Sequence, residues 1–200
     1  MKTIKFYAVS TLVVLAMIFA SCSKEELDTP FYTADNGVSK ELNSFEKAGL
    51  LSLLEMQKMQ RDVYYWKNTQ YESPVFADLA HRDGQLMERL SIKVDKYGLV
   101  NPVVDKLIGE FEDASIQNQY NDFIRETAGD IESMIVEAQK METSFISEVE
   151  TQQTNLSGNA DIVQLYTDLI QESQAQLNSL NNDTKGLIHI YAPKNEIKDE

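Results

Sequence analysis

Polar side chains stand within the apolar faces of the helices that this sequence predicts. Gln57 lies in the middle of a face that is otherwise mainly apolar, formed by Leu50, Leu53, Leu54 and Tyr64 at helical spacing. Similar positions further along the chain carry Asp83, Glu142, Ser173 and Gln176. Carboxylate, amide and hydroxyl oxygens can coordinate hard cations, and they can also hydrogen-bond one another inside a protein. The pattern therefore predicts a metal site or a buried polar network.

The two histidines do not complete a metal site. His81 precedes Asp83 by two residues, so on a helix its side chain points to nearly the opposite side, and His189 lies in the C-terminal tail. Neither has a second ligand at a useful spacing, and we expect surface or packing roles for both. The sequence also contains none of three common catalytic motifs: a Gly-rich phosphate loop, a Cys/His pair, or a nucleophile beside a base. The sequence therefore favours a protein without catalysis and without a cofactor.

Four long amphipathic helices are expected to carry these residues. We predict them over residues 44–68 with Ser44 as the N-cap, 74–97, 130–153, and from Asp161, as the N-cap, to about 182. Short links join helices one and two, and three and four, so each pair should form an antiparallel hairpin. Residues 98–129 connect the hairpins and show short helical patterns such as 103–111. The fold class is all-α: a ferritin-like four-helix bundle of two hairpins joined by a long crossover, or a plain four-helix bundle with a decorated loop.

The two ends of the chain have different expected roles. Residues 1–21 combine a basic start, an apolar run and small residues, which is typical of a secretory signal. That run is shorter than the roughly 20 residues of a spanning helix. The stretch 19–22, Phe-Ala-Ser-Cys, resembles a lipobox, so we expect Cys22, the single cysteine, to be lipidated. An ordinary signal peptide with a chance cysteine is the alternative. The tail, 183–200, contains an apolar run over 186–191 that we expect to dock on the bundle.

The residues after Cys22 bear on location. Ser23, Lys24, Glu25 and Glu26 resemble the export tag that sends lipoproteins to the outer face of the outer membrane. We therefore expect a surface-exposed outer membrane lipoprotein with residues 22–43 as an acidic tether. Attachment facing the periplasm is the alternative, with residues 23–26 serving only as a solvated linker.

Net charge narrows the range of partners. The chain carries a net charge of −14, and removal of residues 1–21, which hold two lysines and no acid, leaves −16. This balance excludes a nucleic-acid partner and disfavours docking on anionic lipid by charge. Contact with the bilayer then depends on the acyl group of Cys22. An unidentified surface protein or glycan remains as a further partner.

Several short motifs resemble one family. They are Ala-Gly-Leu-Leu at 48–51, Arg-Asp-Val-Tyr at 61–64, Pro-Val-Phe at 74–76 and Lys-Tyr-Gly-Leu at 96–99. In this order they resemble an uncharacterised bacterial ferritin-like lipoprotein family, domain of unknown function 2202. Its members typically read Glu-Glu-Lys-Leu-Ala-Arg-Asp-Val-Tyr on helix one and Glu-x-x-His on helix two. The resemblance covers roughly residues 42–180 and implies the ferritin-like fold and a di-metal ancestry.

The family's metal ligands are mostly replaced. Such a site takes a Glu from each of two helices and a Glu-x-x-His from each of the other two. The positions set on that pattern are Gln57, Asp83, Leu86, Glu142, Ser173 and Gln176. Met141 competes with Glu142 for the inward position on helix three. The resemblance therefore implies a degenerate di-metal site without bound metal.

Two interpretations of these polar residues lead to different functions. In the first, they form a polar core in which Asp83 accepts a hydrogen bond from Gln57 or Gln176, or instead reaches Lys58 or Arg61. The protein is then an envelope lipoprotein that acts as a binding or structural module. The alternative is a metal-binding oxidoreductase-type protein that uses Asp83 and Glu142. A third interpretation is a groove for a peptide or sugar, with residues 98–129 as its variable element.

Overall fold

Five α-helices make up the part of the chain that the structure, a computed structural model, describes. That part covers residues 41–126 and 131–191, with side chains at 41–125 and 131–182. The helices are α1 (Ser44–Tyr71), α2 (Pro74–Lys96), α3 (Ala114–Glu126), α4 (Ile131–Gln153) and α5 (Ala160–Tyr191). Since no strand occurs among these residues, the predicted all-α class is confirmed. The predicted signal segment, Cys22 and residues 23–26 lie outside the described residues, as do residues 192–200.

A capping box starts α1. The Asn43 side chain accepts a hydrogen bond from the backbone N–H of Glu46 at 2.9 Å, and the Glu46 carboxylate accepts one from the N–H of Asn43 at 2.9 Å. The N-cap is therefore Asn43, and the prediction of Ser44 was wrong by one residue, because the reciprocal bond requires an acid three residues after the cap. At the other end, Glu72 adopts a left-handed conformation (φ 48°), and Pro74 begins α2. This two-residue connection lets α2 pack back against α1.

The start of α5 also differs from the prediction by two residues. Asn159, and not Asp161, caps the helix: its side-chain oxygen accepts from the N–H of Asp161 at 3.2 Å, and its carbonyl accepts from the N–H groups of residues 162 and 163. Asp161 is thereby released to form ion pairs with Lys93 and Lys96 of α2. These pairs join the last turn of α2 to the first turn of α5, where each charge also complements the dipole of its own helix.

Two hydrophobic clusters pack the helices together. One contains Leu50, Leu53 and Leu54 of α1 with residues of α2, α4 and α5, and the other contains Met59 and Tyr64 of α1 with residues of α2, α3, α4 and α5. α1 packs mainly on α2, and α4 mainly on α5, while α1 also contacts α3 and α4. Gln57 lies on α1 between the segments that supply the two clusters. The polar positions are therefore enclosed by apolar packing on both sides along the helix.

The connection between α2 and α4 is folded differently from the prediction. Residues 103–111 form turns instead of a short helix, and the helix of this connection is α3, over 114–126. Left-handed backbone at Asp105 (φ 62°) and Gly109 (φ 81°) interrupts any helical run. Side chains of α1 bind the backbone of residues 107–113 instead. Tertiary hydrogen bonds thus replace the local helical ones.

α5 is longer than predicted. It continues to Tyr191, beyond the expected boundary at residue 182. The side chains of residues 183–191 are outside the described part, so docking of the tail remains a prediction, as does the role of His189. Within the described helices, none has the length and apolar composition needed to cross a bilayer.

Candidate functional site

Seven polar side chains meet in the protein interior, and we call them the buried polar cluster. They come from all four long helices: Gln57, Gln60 and Tyr64 of α1, Asp83 of α2, Glu142 of α4, and Ser173 and Gln176 of α5. None is more than 1% exposed to solvent. Helical spacing explains the contribution of α1, because residues 57, 60 and 64 follow one another at i, i+3 and i+7 on one face. The structure thus brings together five of the six residues predicted from the sequence.

Two hydrogen bonds organise the buried polar cluster across helix interfaces. The Gln176 amide donates to Asp83 Oδ1 at 2.9 Å, which joins α5 to α2. The Tyr64 hydroxyl donates to Glu142 Oε1 at 2.7 Å, which joins α1 to α4. Each bond places a neutral donor against a carboxyl group. Asp83 does not reach Lys58, and that predicted alternative was wrong because Lys58 is bound to Asp62 on its own helix.

Several atoms of the cluster have no hydrogen-bond partner among the described residues. These are both amide atoms of Gln57 and of Gln60, Asp83 Oδ2, Glu142 Oε2, Ser173 Oγ and Gln176 Oε1. Burying an unpaired polar group costs about 1–3 kcal/mol, and more for a charged one. The described residues therefore leave much of the hydrogen-bonding capacity of the cluster unused.

The two carboxyl groups hold their protons more tightly than in water. Burial raises the pKa of Asp83 well above its usual range, and the nearby Glu142 raises it further, while Gln176, Gln57 and Arg61 oppose the rise. Burial raises the pKa of Glu142 to about 7, against the opposing effects of Tyr64, Ser173 and Gln60. Gln57, Gln60 and Ser173 act here through their nearby dipoles, since they make no hydrogen bond of good geometry. The pair therefore carries less than two negative charges at neutral pH.

Tyr64 acts as a fixed hydrogen-bond donor. Burial raises its pKa well above the usual value, and the nearby Glu142 and Asp83 charges raise it further. Its phenol ring also stacks on Phe76 of α2, with ring centroids 6.1 Å apart. Because the ring is held by packing and the hydroxyl keeps its proton, Tyr64 donates steadily to Glu142. This arrangement can hold a proton at a carboxyl group.

The cluster does not fit a pair of divalent metal ions. Such a pair needs several carboxylates to balance its charge and imidazoles to complete its coordination. The buried polar cluster supplies two carboxyl groups with raised pKa values and no imidazole. Within the described side chains, no group of three or more His, Cys, Asp or Glu residues is placed to hold a metal ion. The donor set is that of a hydrogen-bonded interior.

The remaining predicted residues lie outside the cluster. Leu86 is 3% exposed and belongs to a hydrophobic cluster, so its position is apolar. Met141 and Glu142 are both buried, but only the Glu142 carboxyl joins the polar cluster, while Met141 packs among apolar side chains. His81 is exposed and lies 3.3 Å from the Gln85 amide, as expected for a surface residue.

Sequence reasoning missed Gln60 and the hydrogen-bonding role of Tyr64. The sequence interpretation assigned Tyr64 to packing alone, although its hydroxyl binds Glu142 from 78 residues away in the chain. The spacing from Gln57 to Gln60 and Tyr64 was an available signal, because these positions share one helical face. A hydroxyl at the end of a buried aromatic ring also needs a partner.

A second set of buried polar residues holds charges and was likewise missed. Lys58 and Asp62 of α1, at most 1% exposed, form an ion pair at 2.6 Å. Arg61 also binds the Asp62 carboxylate, at 2.6 Å and 2.9 Å through two nitrogens. The i, i+4 spacing allows this pair on any helix, but surface pairs with the same spacing are common. Residues 107–113 distinguish this pair from a surface pair, because they bind both Lys58 and Asp62 through the backbone.

The fold and the site together define a class of all-helical protein in which four long helices enclose one acid-containing polar cluster. The family model described as uncharacterized protein domain (DUF2202) matches residues 46–199. The chain belongs to this family.

Distant similarity extends to an archaeon. An uncharacterized protein of Methanocaldococcus jannaschii, MJ0754, is 24% identical over 159 residues, which is 77% of this chain and 85% of that protein. The crystal structure of hypothetical protein MJ0754 from Methanococcus jannaschii matches with a TM-score of 0.71 at 20% identity, covering 74% of this chain and 84% of that one. The likeness shows a shared fold.

Proposed function

We propose that this chain is a lipoprotein of the bacterial cell envelope, anchored to the outer membrane through acylated Cys22. In this proposal its helices form a ferritin-like four-helix bundle that has lost a di-metal site. The protein then acts as a binding or structural module and not as an enzyme. A surface protein or glycan is its partner, and the export tag at residues 23–26 directs it to the cell surface.

One observation carries the loss of the metal site. The Asp83 carboxyl, at a family ligand position, receives its hydrogen bond from Gln176, which is at another such position. The Gln176 amide takes a lone pair of Oδ1 that a cation bound at this oxygen would need. Leu86, where the family has a metal-binding His, is in the apolar core. Both contacts support a hydrogen-bonded interior in place of coordination.

A metal-binding oxidoreductase-type protein is the second candidate. It is favoured by the second oxygens of both acids, Asp83 Oδ2 and Glu142 Oε2, which have no partner among the described residues. Two such oxygens could hold a single cation, with Gln57 as a neutral third ligand. The donor set counts against this candidate, because the cluster supplies only two carboxyl groups and no imidazole.

Metal titration distinguishes the two candidates. The full-length chain is purified in mild detergent without chelator, its metal content is measured, and its melting temperature is recorded with and without Fe(II), Mn(II) or Zn(II). We expect no stoichiometric metal and no shift. Binding of one metal per chain, with a raised melting temperature that is lost in Asp83→Asn and kept in Asp78→Asn, would establish the second candidate. Asp78 is a suitable control because its side chain is 56% exposed and pairs only with Arg82 on its own helix.

Lipidation is tested separately in cells. Incorporation of labelled palmitate and recovery in the outer membrane fraction should both be lost in Cys22→Ser. Accessibility to protease on intact cells reports surface exposure, and alanine substitution of Lys24, Glu25 and Glu26 should abolish it. A Cys22→Ser variant that stays in the membrane fraction would contradict the anchor.

A further inference from the structure

The most exposed large apolar side chains of the described residues all belong to one short stretch. Val100 is 87% exposed, Leu107 69%, Val104 58% and Ile108 51%, and these four, which we call the apolar loop patch, lie within nine consecutive residues. Single exposed apolar residues are ordinary on protein surfaces. Four such residues in one short loop are unusual, because exposed apolar groups that occur together on a surface mark interaction sites.

Side chains of α1 hold the backbone beneath the patch. The Lys58 ammonium donates to the carbonyl of Leu107 at 2.7 Å, and the Asp62 carboxylate accepts from the N–H of Gly109 at 2.9 Å. Lys58 and Asp62 are almost completely buried. The loop therefore cannot rotate to turn Leu107 and Ile108 inward without breaking hydrogen bonds to buried charges.

The following residues of the loop are held in the same way. The Glu55 carboxylate, 4% exposed, accepts from the N–H groups of Glu112 at 3.1 Å and Asp113 at 2.9 Å. A β-carbon at Gly109 would approach the Tyr120 ring to 2.8 Å, so the loop packs closely on α3. Buried charges add little net stability, but they do fix one geometry. A surface that is rigid before binding loses less entropy on binding.

The charge around the patch indicates the partner. Residues 99–113 contain four acids and one lysine, a net charge of −3, and Lys106 is paired with Glu112 at 2.7 Å. The side chains of Asp105, Glu110 and Asp113 are exposed. An anionic lipid surface and a second copy of this acidic chain are both repelled. A segment with basic side chains beside its apolar ones is complementary.

We propose that the apolar loop patch is a docking surface for a protein segment that carries both apolar and basic side chains. This assignment rests on the proposed binding function and specifies its partner, but it requires neither the acyl group nor the state of the buried polar cluster. α1 acts as the support: Glu55, Lys58 and Asp62 hold residues 107–113, so that Leu107 and Ile108 of the patch stay exposed to solvent.

A pair of peptides and two matched double variants test the proposal. A fluorescein-labelled amphipathic peptide of Leu and Lys is titrated with the full-length chain in mild detergent, by fluorescence anisotropy, beside a peptide in which Glu replaces every Lys. We expect the Leu/Lys peptide to bind in preference to the other. Its affinity should fall by at least about tenfold in Val104→Ser/Leu107→Ser, because two apolar contacts are removed.

The control variant removes two exposed apolar groups from elsewhere on the surface. In Ile92→Ser/Val136→Ser, where the side chains are 41% and 46% exposed, affinity should stay unchanged. Equal losses in both variants, equal binding of the two peptides, or no binding of either would overturn the proposal. So would patch-dependent binding to phosphatidylcholine vesicles, or patch-dependent dimerisation in sedimentation, without peptide binding. Metal binding and palmitate labelling test the proposed function and are measured on separate samples. Peptide binding tests the docking surface, so the failure of one proposal is distinguishable from the failure of the other.

Discussion

Replacing Asp62 by Asn tests whether α1 holds the loop by buried charge. Asp62 is fully buried, and both of its carboxylate oxygens accept hydrogen bonds. Oδ2 receives Lys58 at 2.6 Å and the N–H of Gly109 at 2.9 Å, while Oδ1 receives two nitrogens of Arg61. An Asn side chain has one oxygen and one NH2 group. Each oxygen of Asp62 accepts two N–H groups, so in either orientation the NH2 group of Asn faces two donors. The substitution thus removes the charge and also places donors against donors.

The magnitude follows from what remains around Lys58. Removing one partner of a buried ion pair costs about 3–5 kcal/mol. Lys58, which is 1% exposed, keeps its bond to the carbonyl of Leu107, and Arg61, which is 26% exposed, can turn to water. Both reduce the penalty. We therefore expect Asp62→Asn to lower the free energy of unfolding by about 3 kcal/mol, at the low end of that range.

Urea unfolding followed by circular dichroism measures this change, and trypsin reports on the loop. Cleavage after Lys106 should become faster in Asp62→Asn, because the loop is no longer held against α1. The control Asp78→Asn removes an exposed pair and should cost less than about 1 kcal/mol. If Asp62→Asn matches this control in stability, and Lys106 is cleaved no faster than in the wild type, then buried charge does not hold the loop.

Three further predictions concern the core. Burial places the folded pKa of Glu142 at about 7, above its unfolded value of about 4.3, so the folded state binds more protons between these values. Stability should therefore fall as pH rises from about 4.5 to 7, by on the order of 1 kcal/mol per pH unit, and Glu142→Gln should flatten the profile of melting temperature against pH. Gln57→Leu removes two unpartnered buried atoms and should leave the melting temperature unchanged or raise it; a fall of several degrees would contradict the idea that these atoms are unsatisfied. Gly49→Ala should lower the free energy of unfolding by about 1–3 kcal/mol, because the new β-carbon would lie 2.4 Å from the Gln152 side chain. Gly84→Ala has no neighbouring atom nearer than 3.9 Å and should raise it by about 0.5–1 kcal/mol. Urea unfolding measures both changes.

The long helices were predictable because their signals are local and repeated. The apolar period gave α1, α2 and α4 to within a few residues, and Pro74 at the start of α2 fixed that boundary. The inward direction of Gln57, Asp83, Ser173 and Gln176 follows from the same period, and all four are fully buried. What the period cannot give is the pairing across helices. The bond from Gln176 to Asp83 spans 93 residues, and only packing selects it over Gln57.

The connection at 98–113 was not predictable for the same reason. Its apolar residues recur at intervals that also suit a short helix, and a local pattern cannot register hydrogen bonds supplied by Glu55, Lys58 and Asp62. Those three residues carry charge and would be assigned to the surface of α1. In the folded protein each is buried and hydrogen-bonds the backbone of residues 107–113. The conformation of the loop depends on hydrogen bonds from the charged side chains of α1, and those side chains find partners in the loop. Neither segment can therefore be predicted from its own sequence.

The two buried polar regions therefore differ in physical character. In the cluster around Asp83 and Glu142, several atoms have no hydrogen-bond partner among the described residues, so apolar replacement of Gln57 should be tolerated. Under the loop, Lys58 and Asp62 pair with each other and with backbone groups. Replacing either residue therefore leaves the charge of the other buried without its partner. The well-satisfied region is the one that presents the apolar loop patch to solvent. Residues 107–113 are firmly held by α1, whereas the buried polar cluster is loosely satisfied among the described residues, and this contrast supports the proposal that the protein binds through the loop.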